Sequence, residues 1–488
     1  MIRTNPDRPI YASDSYAWDR CPRLVWFLFH PPAAAELAPD PFDTLIKQYG
    51  DEHEAGILAS MVDSIISKSM DHTVALIADE APVIYQARLE DKARNIIGVP
   101  DFLLRTEIGY QVADAKLALS VEKNRAILAQ LGVYQYLLTQ VCEPNEEELR
   151  PIVFLGDGEA FEVDVDVLSV AEKFLSTVEN IRDQDNMPDT HFAHSKCAPC
   201  DFFDYCHDWF VEQDDMTLSP AVDSRTAQQL RLQNINTLTQ LANIDAEGID
   251  EAPYLRNPDK RLRIVQQAQS LVTGEVIIRQ APQWPRGTLI HFDIESDPLG
   301  GEGDGEVYLW GLLKPGSSDD EFEYIWRETD DFASWQAFLN LVRDYRQRWP
   351  DLRLVHYSPF ERVQIKRYVD RYAASDDPIA QWLLDTDGPL WDLQAFVKLY
   401  FVLPVESYGL KTICRDERLV NFQWRLEESG SQWSVVQYHQ FVAALASSHT
   451  QQARSIRDEI LTYNEDDVRA TAAMVDWLKS ISVGMRRA

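Results

Sequence analysis

The sequence predicts an α/β protein built from more than one domain, on three observations. At 488 residues the chain is longer than one ordinary domain, so two or three domains are expected. From TLIHFDIES onward, strand-like runs alternate with helical stretches, which is the pattern of an α/β domain. Just before it, APQWPRG breaks the chain with two prolines and a glycine. We therefore expect an α/β domain over residues 285–488.

The chain before this break divides again at a cluster of cysteines. Residues 1–210 end at the stretch CAPCDFFDYC and form the first predicted domain, which a linker with an acidic start follows. Residues 219–280 read as short helices, because LRLQNINTLTQLANI has apolar residues at helical spacing and Thr237 as a candidate N-cap. A small helical region is therefore expected between the two larger domains.

Composition indicates the compartment and the state of the thiols. The start, MIRTNPDRPI, lacks the apolar segment of a signal peptide. No apolar run approaches the roughly 20 residues that a membrane helix needs. We therefore expect a cytoplasmic protein with no membrane partner. Thiols stay reduced in that compartment, so clustered cysteines predict metal ligands before disulfides.

The net charge of −33 restricts the nucleic-acid partners that this chain can bind. Generic duplex binding depends on Lys and Arg neutralising phosphates, so a broad duplex binder is disfavoured. Metal ions can bridge carboxylates and phosphates, so a metal-dependent enzyme is compatible with the charge. No G-x-x-x-x-G-K-[ST] loop is present, which argues against a nucleotide-driven motor. The glycines of LGGEGDGEVYLWG lie between two strand-like runs and favour a hairpin turn over a phosphate-binding loop.

Candidate metal ligands in the first predicted domain follow a fixed order along the chain. VADAK lies in the strand-like run GYQVADAKLAL, so Asp114 and Lys116 project from one face. NIIGVPDFLLR places Asp101 on a second strand, and YGDEHEAGIL places His53 on a helix-like stretch. Two acids and an imidazole can hold Mg²⁺ or Mn²⁺, and a neighbouring lysine can act on water or phosphate. Taken alone, Asp-x-Lys is more often a solvated ion pair.

A helical pair downstream makes the ordered set more specific. QLGVY places Gln130 and Tyr134 one turn apart on the same helix face. The whole set resembles the core of the RecB-family nucleases of the PD-(D/E)-x-K superfamily. The resemblance implies a restriction-endonuclease-like fold in which the two acids and the histidine bind the metal. It also implies that the lysine acts on the water or the phosphate, and that the glutamine and tyrosine form the helical motif that follows.

Three of the chain's six cysteines, Cys197, Cys200 and Cys206, lie within ten residues. Some nucleases of that family hold a [4Fe–4S] cluster with one cysteine before the nuclease core and a C-x-x-C-x5-C set after it. Cys21, in YAWDRCPRLVWF, matches the earlier position. The resemblance therefore implies an iron–sulfur cluster that joins the ends of the domain. Structural zinc is the open alternative, because four thiolates suit both groups.

The last predicted domain carries a second set of acids. In HFDIES, Asp293 and Glu295 are two residues apart and share a strand face. LTYNEDDVRATAAMVDWL reads as a helix that places Tyr463 and Asp467 on one face. Between them, LRLVHYSPFERVQIKRY supplies Glu361 where a strand passes into a helix. This order resembles the DEDDy exonucleases of the ribonuclease H-like superfamily.

That second resemblance implies four acids that hold two divalent ions, and a tyrosine that orients the attacking water. The chain departs from the pattern at the middle acid, where the family has aspartate after an aromatic residue and this sequence has Glu361 after Phe360. Glutamate reaches one methylene further, so an altered or weak site is expected. Asp466 competes with Asp467, which we prefer for its four-residue spacing from the tyrosine. Asp392 is a further acid that could instead cap a helix.

The middle region gives the least specific signal. It could form a helix-hairpin-helix-like duplex contact, but QNIN lacks the glycines of that motif. The stretch RNPDKRLR provides a basic patch of Arg256, Lys260, Arg261 and Arg263 as candidate nucleic-acid ligands. An ordinary solvated helix explains the patch equally well.

The two resemblances together cover nearly the whole chain and predict a metal-dependent nuclease with two centres. DNA is the expected substrate, as single strands or ends, with RNA as the open alternative. The competing hypothesis is a nucleic-acid-binding scaffold in which one or both centres are degenerate. Such a scaffold would serve a separate helicase or a defence or repair protein.

Overall fold

The fold is described from a computed structural model of the chain, which describes residues 5, 7–32, 40–142, 149–301, 305–315, 321–328, 330–426 and 430–483. The chain divides into two compact units, Met1–Thr190 and His191–Ala488, and each is described by itself. The boundary between the two units lies before the predicted domain end at residue 210. The predicted helical region, residues 219–280, therefore belongs to the second unit. Residues 302–304 of the glycine-rich turn lie outside the described residues.

The first unit is a mixed α/β structure. Its helices are α1 Ser15–Arg20, α2 Pro22–Phe29, α3 Pro41–Ser60, α4 Met70–Ala78, α5 Arg125–Thr139 and α6 Val167–Arg182, with a 3-10 turn at Ala12–Asp14. Its strands are β1 Ile10–Tyr11, β2 Ser64–Ile66, β3 Val83–Tyr85, β4 Leu89–Asp91, β5 Ile96–Gly98, β6 Phe102–Thr106, β7 Gly109–Ala115, β8 Ile152–Phe154 and β9 Ala160–Glu162.

The main sheet of the first unit has six strands in the order β2-β3-β6-β7-β8-β9. β6 and β7 are antiparallel, with Phe102 opposite Ala113, and β7 and β8 are parallel, with Asp114 opposite Val153. Phe102, Ala113 and Val153 are fully buried, because the apolar residues of the neighbouring strands pack together across the sheet. This register brings the start of β6 beside the end of β7, where two of the predicted acids lie.

Helix α5 packs on α6 and carries the predicted glutamine and tyrosine. It begins after Asn124, whose side chain accepts a hydrogen bond from the backbone N–H of Ile127 at 3.1 Å and so caps the helix. A Cβ at Gly132 would lie 2.0 Å from the carbonyl oxygen of Val167, at the start of α6. Glycine is therefore required for this close approach, which fixes α5 in the core.

The second unit is also a mixed α/β structure. Its helices are α7 His194–Cys197, α8 Phe203–Glu212, α9 Ser224–Leu232, α10 Leu238–Ala242, α11 Pro258–Thr273, α12 Asp331–Arg348, α13 Phe360–Arg371, α14 Pro378–Leu384, α15 Leu393–Tyr400, α16 Leu410–Arg415, α17 Ser431–Ala446 and α18 Thr450–Ser482, with 3-10 turns at Met216–Leu218, Ala246–Gly248 and Ala374–Asp376. Its strands are β10 Ile277–Ile278, β11 Leu289–Asp297, β12 Glu306–Leu313, β13 Phe322–Trp326, β14 Arg353–His356, β15 Leu390–Asp392 and β16 Phe401–Val402. Among the described residues of the chain, no helix is long and apolar enough to cross a membrane.

A five-stranded sheet in the order β13-β12-β11-β14-β15 organises the larger part of this unit. Its central strand β11 is antiparallel to β12 and parallel to β14. One face is closed by stacked aromatic rings, with the Trp310 and Phe338 ring centroids 4.2 Å apart and Phe292 5.5 Å from Phe338. The 33-residue helix α18 packs against β11 and β12, so acids on that strand and that helix can meet.

The short helices α9, α10 and α11 have a hydrophobic cluster of their own. Leu230, Leu241 and Ile264, one from each helix, are fully buried in it. The Thr237 hydroxyl accepts a hydrogen bond from the backbone N–H of Gln240 at 3.1 Å and caps α10, as the sequence predicts.

Candidate active sites

The first candidate centre lies where β6 begins and β7 ends. Asp101 directly precedes β6, one residue short of the predicted strand position, and Asp114 lies in β7. The Asp101 backbone N–H donates to Asp114 Oδ1 at 3.3 Å, and the Ala115 N–H donates to Asp101 Oδ2 at 2.8 Å. Backbone hydrogen bonds across the strand pair therefore fix the two carboxylates side by side.

Lys116 lies just past the end of β7 and turns back onto this pair of acids. Its Nζ is 2.6 Å from Asp114 Oδ2, and the Asp114 side chain is almost completely buried. Burial disfavours the charged ammonium, but the Asp114 carboxylate outweighs it and raises the pKa of Lys116 above its usual value. The lysine therefore stays charged and neutralises one of the two acids.

The second acid of this pair is not neutralised in the same way. Burial, with the charge of Asp114, raises the pKa of Asp101 to about 9. Asp101 therefore holds a proton at neutral pH unless another cation takes the proton's place. This electrostatic arrangement suits a carboxylate that binds a divalent ion.

The helical pair on α5 is buried behind these acids. Gln130 donates from Nε2 to the Tyr134 hydroxyl at 2.7 Å, and its buried Oε1 has no hydrogen-bond partner among the described residues. Burial and the charges of Asp114 and Asp101 raise the pKa of Tyr134 well above its usual value. The predicted pair therefore lies within electrostatic reach of both acids.

His53, on α3, is held by the backbone of the neighbouring strand. Its Nε2 lies 3.1 Å from the carbonyl oxygen of Phe154, so that nitrogen is the donor and Nδ1 is the nitrogen left with a lone pair. Among the described residues, no three ligand atoms of the first unit's acids, histidines and cysteines lie within 4.8 Å of one another. His53 as a metal ligand stays a prediction.

Two polar residues that the sequence analysis did not single out join this centre. Gln86 donates from Nε2 to Glu54 Oε1 at 2.5 Å and to Asp101 Oδ1 at 3.2 Å. Glu54 directly follows His53, and this adjacency to a predicted ligand is the sequence feature that could have indicated Glu54. The Gln86 amide therefore bridges the carboxylates of Glu54 and Asp101, so Glu54 is a further acid close to this centre.

The cysteines, all six of them in described residues, form no disulfide. Cys197 ends α7, and the Cys200 backbone N–H donates to the Cys197 carbonyl at 2.9 Å. Cys206 lies on α8, while Cys21 belongs to the first unit, where its Sγ is 3.9 Å from Thr190 Oγ1. The sulfur atoms of the clustered three do not all lie within 4.8 Å of one another. The four-cysteine cluster therefore stays a prediction.

The second candidate centre brings three acids together from a strand and a helix. Asp293 and Glu295 project from the same face of β11, and Asp467 faces them from α18. One ligand oxygen from each of the three lies within 4.8 Å of the others. Tyr463 lies one helical turn before Asp467 and is likewise buried.

An asparagine on α18 holds the two strand acids in place. Asn464 donates from Nδ2 to Asp293 Oδ2 at 2.7 Å and to Glu295 Oε1 at 3.3 Å. It reaches them because Gly311 lies opposite Asp293 on β12, where an added Cβ would be 1.8 Å from Asn464 Oδ1. The third acid is held separately, since Trp424 donates from Nε1 to Asp467 Oδ1 at 2.6 Å.

Burial, with mutual repulsion added to it, governs the electrostatics of this centre. Burial and the charge of Asp467 raise the pKa of Glu295 to about 8, and burial with the charge of Glu295 raises the pKa of Asp293 well above its usual value. Burial also raises the pKa of Asp467, although Lys411 opposes that rise. Glu295 therefore holds a proton at neutral pH unless a bound cation takes the proton's place.

The charge of Lys411, on α16, acts on this centre, and no sequence motif marks this residue. Its Nζ lies 4.3 Å from the ring centroid of Tyr463. Burial lowers the pKa of Lys411, although the charges of Asp467, Glu295 and Asp293 oppose that fall. The lysine therefore stays within electrostatic reach of all three acids.

The middle acid of the predicted set is outside this group of three but within electrostatic reach of it, since its charge adds to the rise in the pKa of Asp293. Glu361 is buried near the start of α13, with its Oε2 3.2 Å from Nδ1 of His356, and it is outside the group of three acids. Burial raises the pKa of Glu361, while His356 opposes the rise and Asp392 adds to it. Asp392 itself caps α15 by accepting from the Ala395 N–H at 2.9 Å, so it has the helix-capping role that is one of its two predicted roles.

The two neighbouring aspartates on α18, Asp466 and Asp467, have different hydrogen-bond partners, and this difference shows which of them faces the strand acids. Asp466 accepts from the Arg425 backbone N–H at 2.8 Å and forms an ion pair with Arg425 Nε at 2.7 Å. Asp466 therefore fixes the segment before α17, and Asp467 is the acid that faces β11.

Three of the four cations of the predicted basic patch form an ion pair or a hydrogen bond within the second unit. Lys260 lies 3.5 Å from Asp223 Oδ2, Arg261 donates to a backbone carbonyl just before α11 at 2.7 Å, and Arg263 donates to a backbone carbonyl of α15 at 2.8 Å. Arg256 is exposed. The patch is therefore not a continuous free surface of positive charge.

Comparison with known protein families matches both units. Residues 28–207 match the sequence model of the PD-(D/E)XK nuclease superfamily, and residues 290–479 match that of the RNase_H superfamily. The chain carries two nuclease-superfamily domains. The first range contains Asp101, Asp114 and Lys116 but not Cys21, and the second contains the three acids of the other centre. No curated protein matches the chain as a relative.

Proposed function

We propose that this protein is a divalent-metal-dependent nuclease and that Asp293, Glu295 and Asp467 form its principal centre. The observation that carries the proposal is the meeting of three carboxylates within 4.8 Å, two of them buried and Asp293 partly buried, on elements of a nuclease-superfamily domain. Such a group repels itself unless a cation offsets its charge. Mg²⁺ or Mn²⁺ suits it, because hard divalent ions prefer carboxylate oxygens.

Each residue of this centre has a separate part in phosphodiester hydrolysis. Divalent ions bound there would supply an activated water and stabilise the leaving oxygen. Asp293 and Glu295 hold one side of the site from β11, and Asp467 closes it from α18. Burial and the charges of Glu295 and Asp467 raise the pKa of Tyr463 well above its usual value, so its phenol keeps its proton. It can then donate a hydrogen bond that orients the water.

The finer assignment follows the resemblance to DEDDy exonucleases. The order Asp-x-Glu followed by Tyr-x-x-x-Asp supports 3′→5′ exonuclease action, with DNA as the substrate and single strands or ends as its form. A separate helicase or repair protein would supply such ends, since the chain has no P-loop of its own.

The first centre is proposed as a second nuclease site, with Asp101 and Asp114 as metal ligands. His53 fits a further ligand through Nδ1, because metal-bound histidines commonly donate their other ring N–H to a backbone carbonyl, here that of Phe154. Lys116 keeps its positive charge beside Asp114 and can act on the attacking water or the phosphate. Gln130 and Tyr134 support the acids from α5.

The four cysteines are proposed to hold a [4Fe–4S] cluster, with structural zinc as the alternative. The C-x-x-C-x5-C spacing and the absence of any disulfide among the six cysteines, all of them described, support thiolate ligands. Protein purified without oxygen should be brown and contain about four irons per chain, and Cys21→Ser should lose both. One zinc per chain and no iron would leave the zinc alternative in place of the cluster.

The experiment that tests the proposed function uses end-labelled single- and double-stranded DNA and RNA with Mg²⁺ or Mn²⁺. The parent should shorten at least one of these substrates, and EDTA should stop it. A Lys116→Ala, Asp293→Asn double variant should leave every substrate intact. Its matched control pairs Lys123→Ala, an exposed lysine, with Asp458→Asn, an exposed acid of α18. Equal cleavage by the double variant and its control would contradict the proposal.

One observation favours a second candidate function, a nucleic-acid-binding scaffold with a degenerate second centre. Glu361 pairs with His356 and does not join the three acids, so a full set of four carboxylates is not assembled. The same assay decides, because a scaffold would bind the labelled strands and leave them uncut.

A further inference from the structure

A cavity of about 520 Å³ opens in the second unit among residues outside the group of three acids. Its walls come from residues 191–195, residues 219–223, one face of α11 and residues 406–408, with Lys398 of α15. A volume of this size lies in the range of about 300–1,000 Å³ that is typical of small-ligand sites. Neither proposed nuclease centre uses it.

The carboxylates of the cavity wall are already paired. Asp223 is 3.5 Å from Lys260 Nζ, and Glu406 Oε2 is 2.8 Å from His207 Nε2. Two cations of the wall, Arg263 and Lys398, form no salt bridge with a carboxylate among the described residues. The wall contains three cations, Lys260, Arg263 and Lys398, and two carboxylates, Asp223 and Glu406, so the balance of these charges is positive.

These two cations are held next to each other by the fold. Arg263 donates from Nη2 to the backbone carbonyl of Lys398 at 2.8 Å, and Lys398 Nζ donates to Gln394 Oε1 at 2.8 Å. Burial lowers the pKa of Lys398, and the charge of Arg263 adds to that fall while Asp392 opposes it. In a chain with 79 acidic and 46 basic residues, two adjacent half-buried cations that form no salt bridge with a described carboxylate are unexpected unless an anion binds them.

The cavity is also joined to the second centre by a short stretch of chain. Tyr408 closes one side, where its hydroxyl donates to Gln267 Oε1 at 2.8 Å and accepts from the Leu403 N–H at 3.1 Å. Three residues later, Lys411 lies over the ring of Tyr463. A ligand in the cavity therefore contacts the segment that leads directly to the acid group.

We propose that this cavity binds a phosphate group of a nucleic-acid strand or of a nucleotide, through Arg263 and Lys398. A guanidinium with free N–H groups beside an ammonium suits the several oxygens of a phosphate. The choice of a nucleic-acid phosphate rests on the proposed nuclease function. The site holds the phosphate of the substrate or of the released product apart from the reacting bond.

The test is calorimetric titration of the full chain in EDTA, where no cleavage takes place. The probes are inorganic phosphate, a deoxynucleoside monophosphate and a single-stranded oligonucleotide. We expect at least about tenfold weaker binding in Arg263→Gln and in Lys398→Gln, since each variant removes a charge-assisted hydrogen bond to the phosphate. Arg454→Gln, which removes an exposed cation of α18, should bind like the parent.

Each outcome is decisive. Binding of the monophosphate as tight as that of the oligonucleotide identifies a nucleotide as the occupant, and selective binding of the oligonucleotide identifies a strand. Equal affinities in the parent and both cavity variants, or no binding of any probe, would overturn the proposal. If Arg263→Gln does not fold, Arg263→Lys retains the charge and Lys398→Gln carries the test. Phosphate binding by a protein that cuts nothing would refute the nuclease proposal and leave the phosphate site standing.

Discussion

The two candidate centres solve the same electrostatic problem differently. In the first, Lys116 lies 2.6 Å from Asp114, so one acid is neutralised by the chain itself. In the second, the neutral amide of Asn464 bridges Asp293 and Glu295 and cannot offset their charge. Lys411 offsets only part of the charge of three acids there, so the first centre, with two acids and Lys116, needs less charge from bound cations than the second does. This difference makes the second centre the more sensitive of the two to metal and to pH.

The largest expected effect is the loss of cleavage when a strand acid of the second centre is removed. Asp293→Asn should reduce that centre's cleavage by about 100-fold or more, because the carboxylate is one of three that hold the site together. Lys116→Ala should reduce cleavage by the first centre alone. End-labelled substrates with each single variant measure the two contributions. Identical product patterns from both variants would remove the distinction between the centres.

The next effect is on stability as a function of pH without metal. Unfolded Asp and Glu titrate near 4, whereas Asp101 has a pKa of about 9 and Glu295 one of about 8 in the folded protein. Between those values the folded state binds more protons than the unfolded state, so stability falls as pH rises from about 5 to 9.

Melting temperatures in EDTA across that range measure this fall. Glu295→Gln and Asp101→Asn should each flatten it, because each removes one group with a raised pKa. Mn²⁺ should restore stability at the high-pH end. Glu295→Gln should lose more of this Mn²⁺-dependent gain than Asp101→Asn does. A stability that rises with pH in the metal-free parent would contradict the electrostatic account.

A smaller effect is expected from the glycine opposite Asp293. In Gly311→Ala the new Cβ would lie 1.8 Å from Asn464 Oδ1, so the asparagine must move off the two acids. We expect about tenfold weaker Mn²⁺ binding and slower cleavage at the second centre, with the first centre unchanged. Gly50→Ala on α3, where nothing lies within 4 Å of an added Cβ, is the control for the substitution. Unchanged activity in Gly311→Ala would mean that Asn464 does not position the acids.

The smallest effect is expected at Glu361, which pairs with His356 outside the group of three acids. Glu361→Gln should change Mn²⁺ affinity less than about threefold, whereas Asp467→Asn should lose most of it. Titration calorimetry of both variants makes the comparison. Equal losses would show that Glu361 is a metal ligand after all, and Glu361→Asp should then retain or improve activity.

The sequence predicted those features that depend on local spacing. Asp293 and Glu295 alternate on one strand, and Asp467 follows Tyr463 by one helical turn, so their shared faces could be inferred from periods of 2 and 3.6. The strand run around Asp114 and the cap at Thr237 are local in the same sense.

Features that depend on pairing between distant segments could not be predicted in this way. Gly311 supports the second centre only because β12 pairs with β11 in the register that sets it opposite Asp293. Lys411 reaches the site from α16, about 50 residues before Tyr463 in the chain, and carries no motif of its own. Glu361 is assigned by the resemblance, and in the structure its carboxylate lies 3.2 Å from His356 Nδ1 and outside the group of three acids.

The measurement that tests the central claim most directly is Mn²⁺ titration calorimetry of the full chain in an Asp101→Asn background, which disables the first centre. In that background, binding should be present with Asp467 intact and lost in Asp467→Asn. Asp458→Asn, an exposed acid on the same helix, should bind like the background. Binding that survives Asp467→Asn, or an intact acid group that takes up no Mn²⁺ at millimolar concentration, would contradict the account.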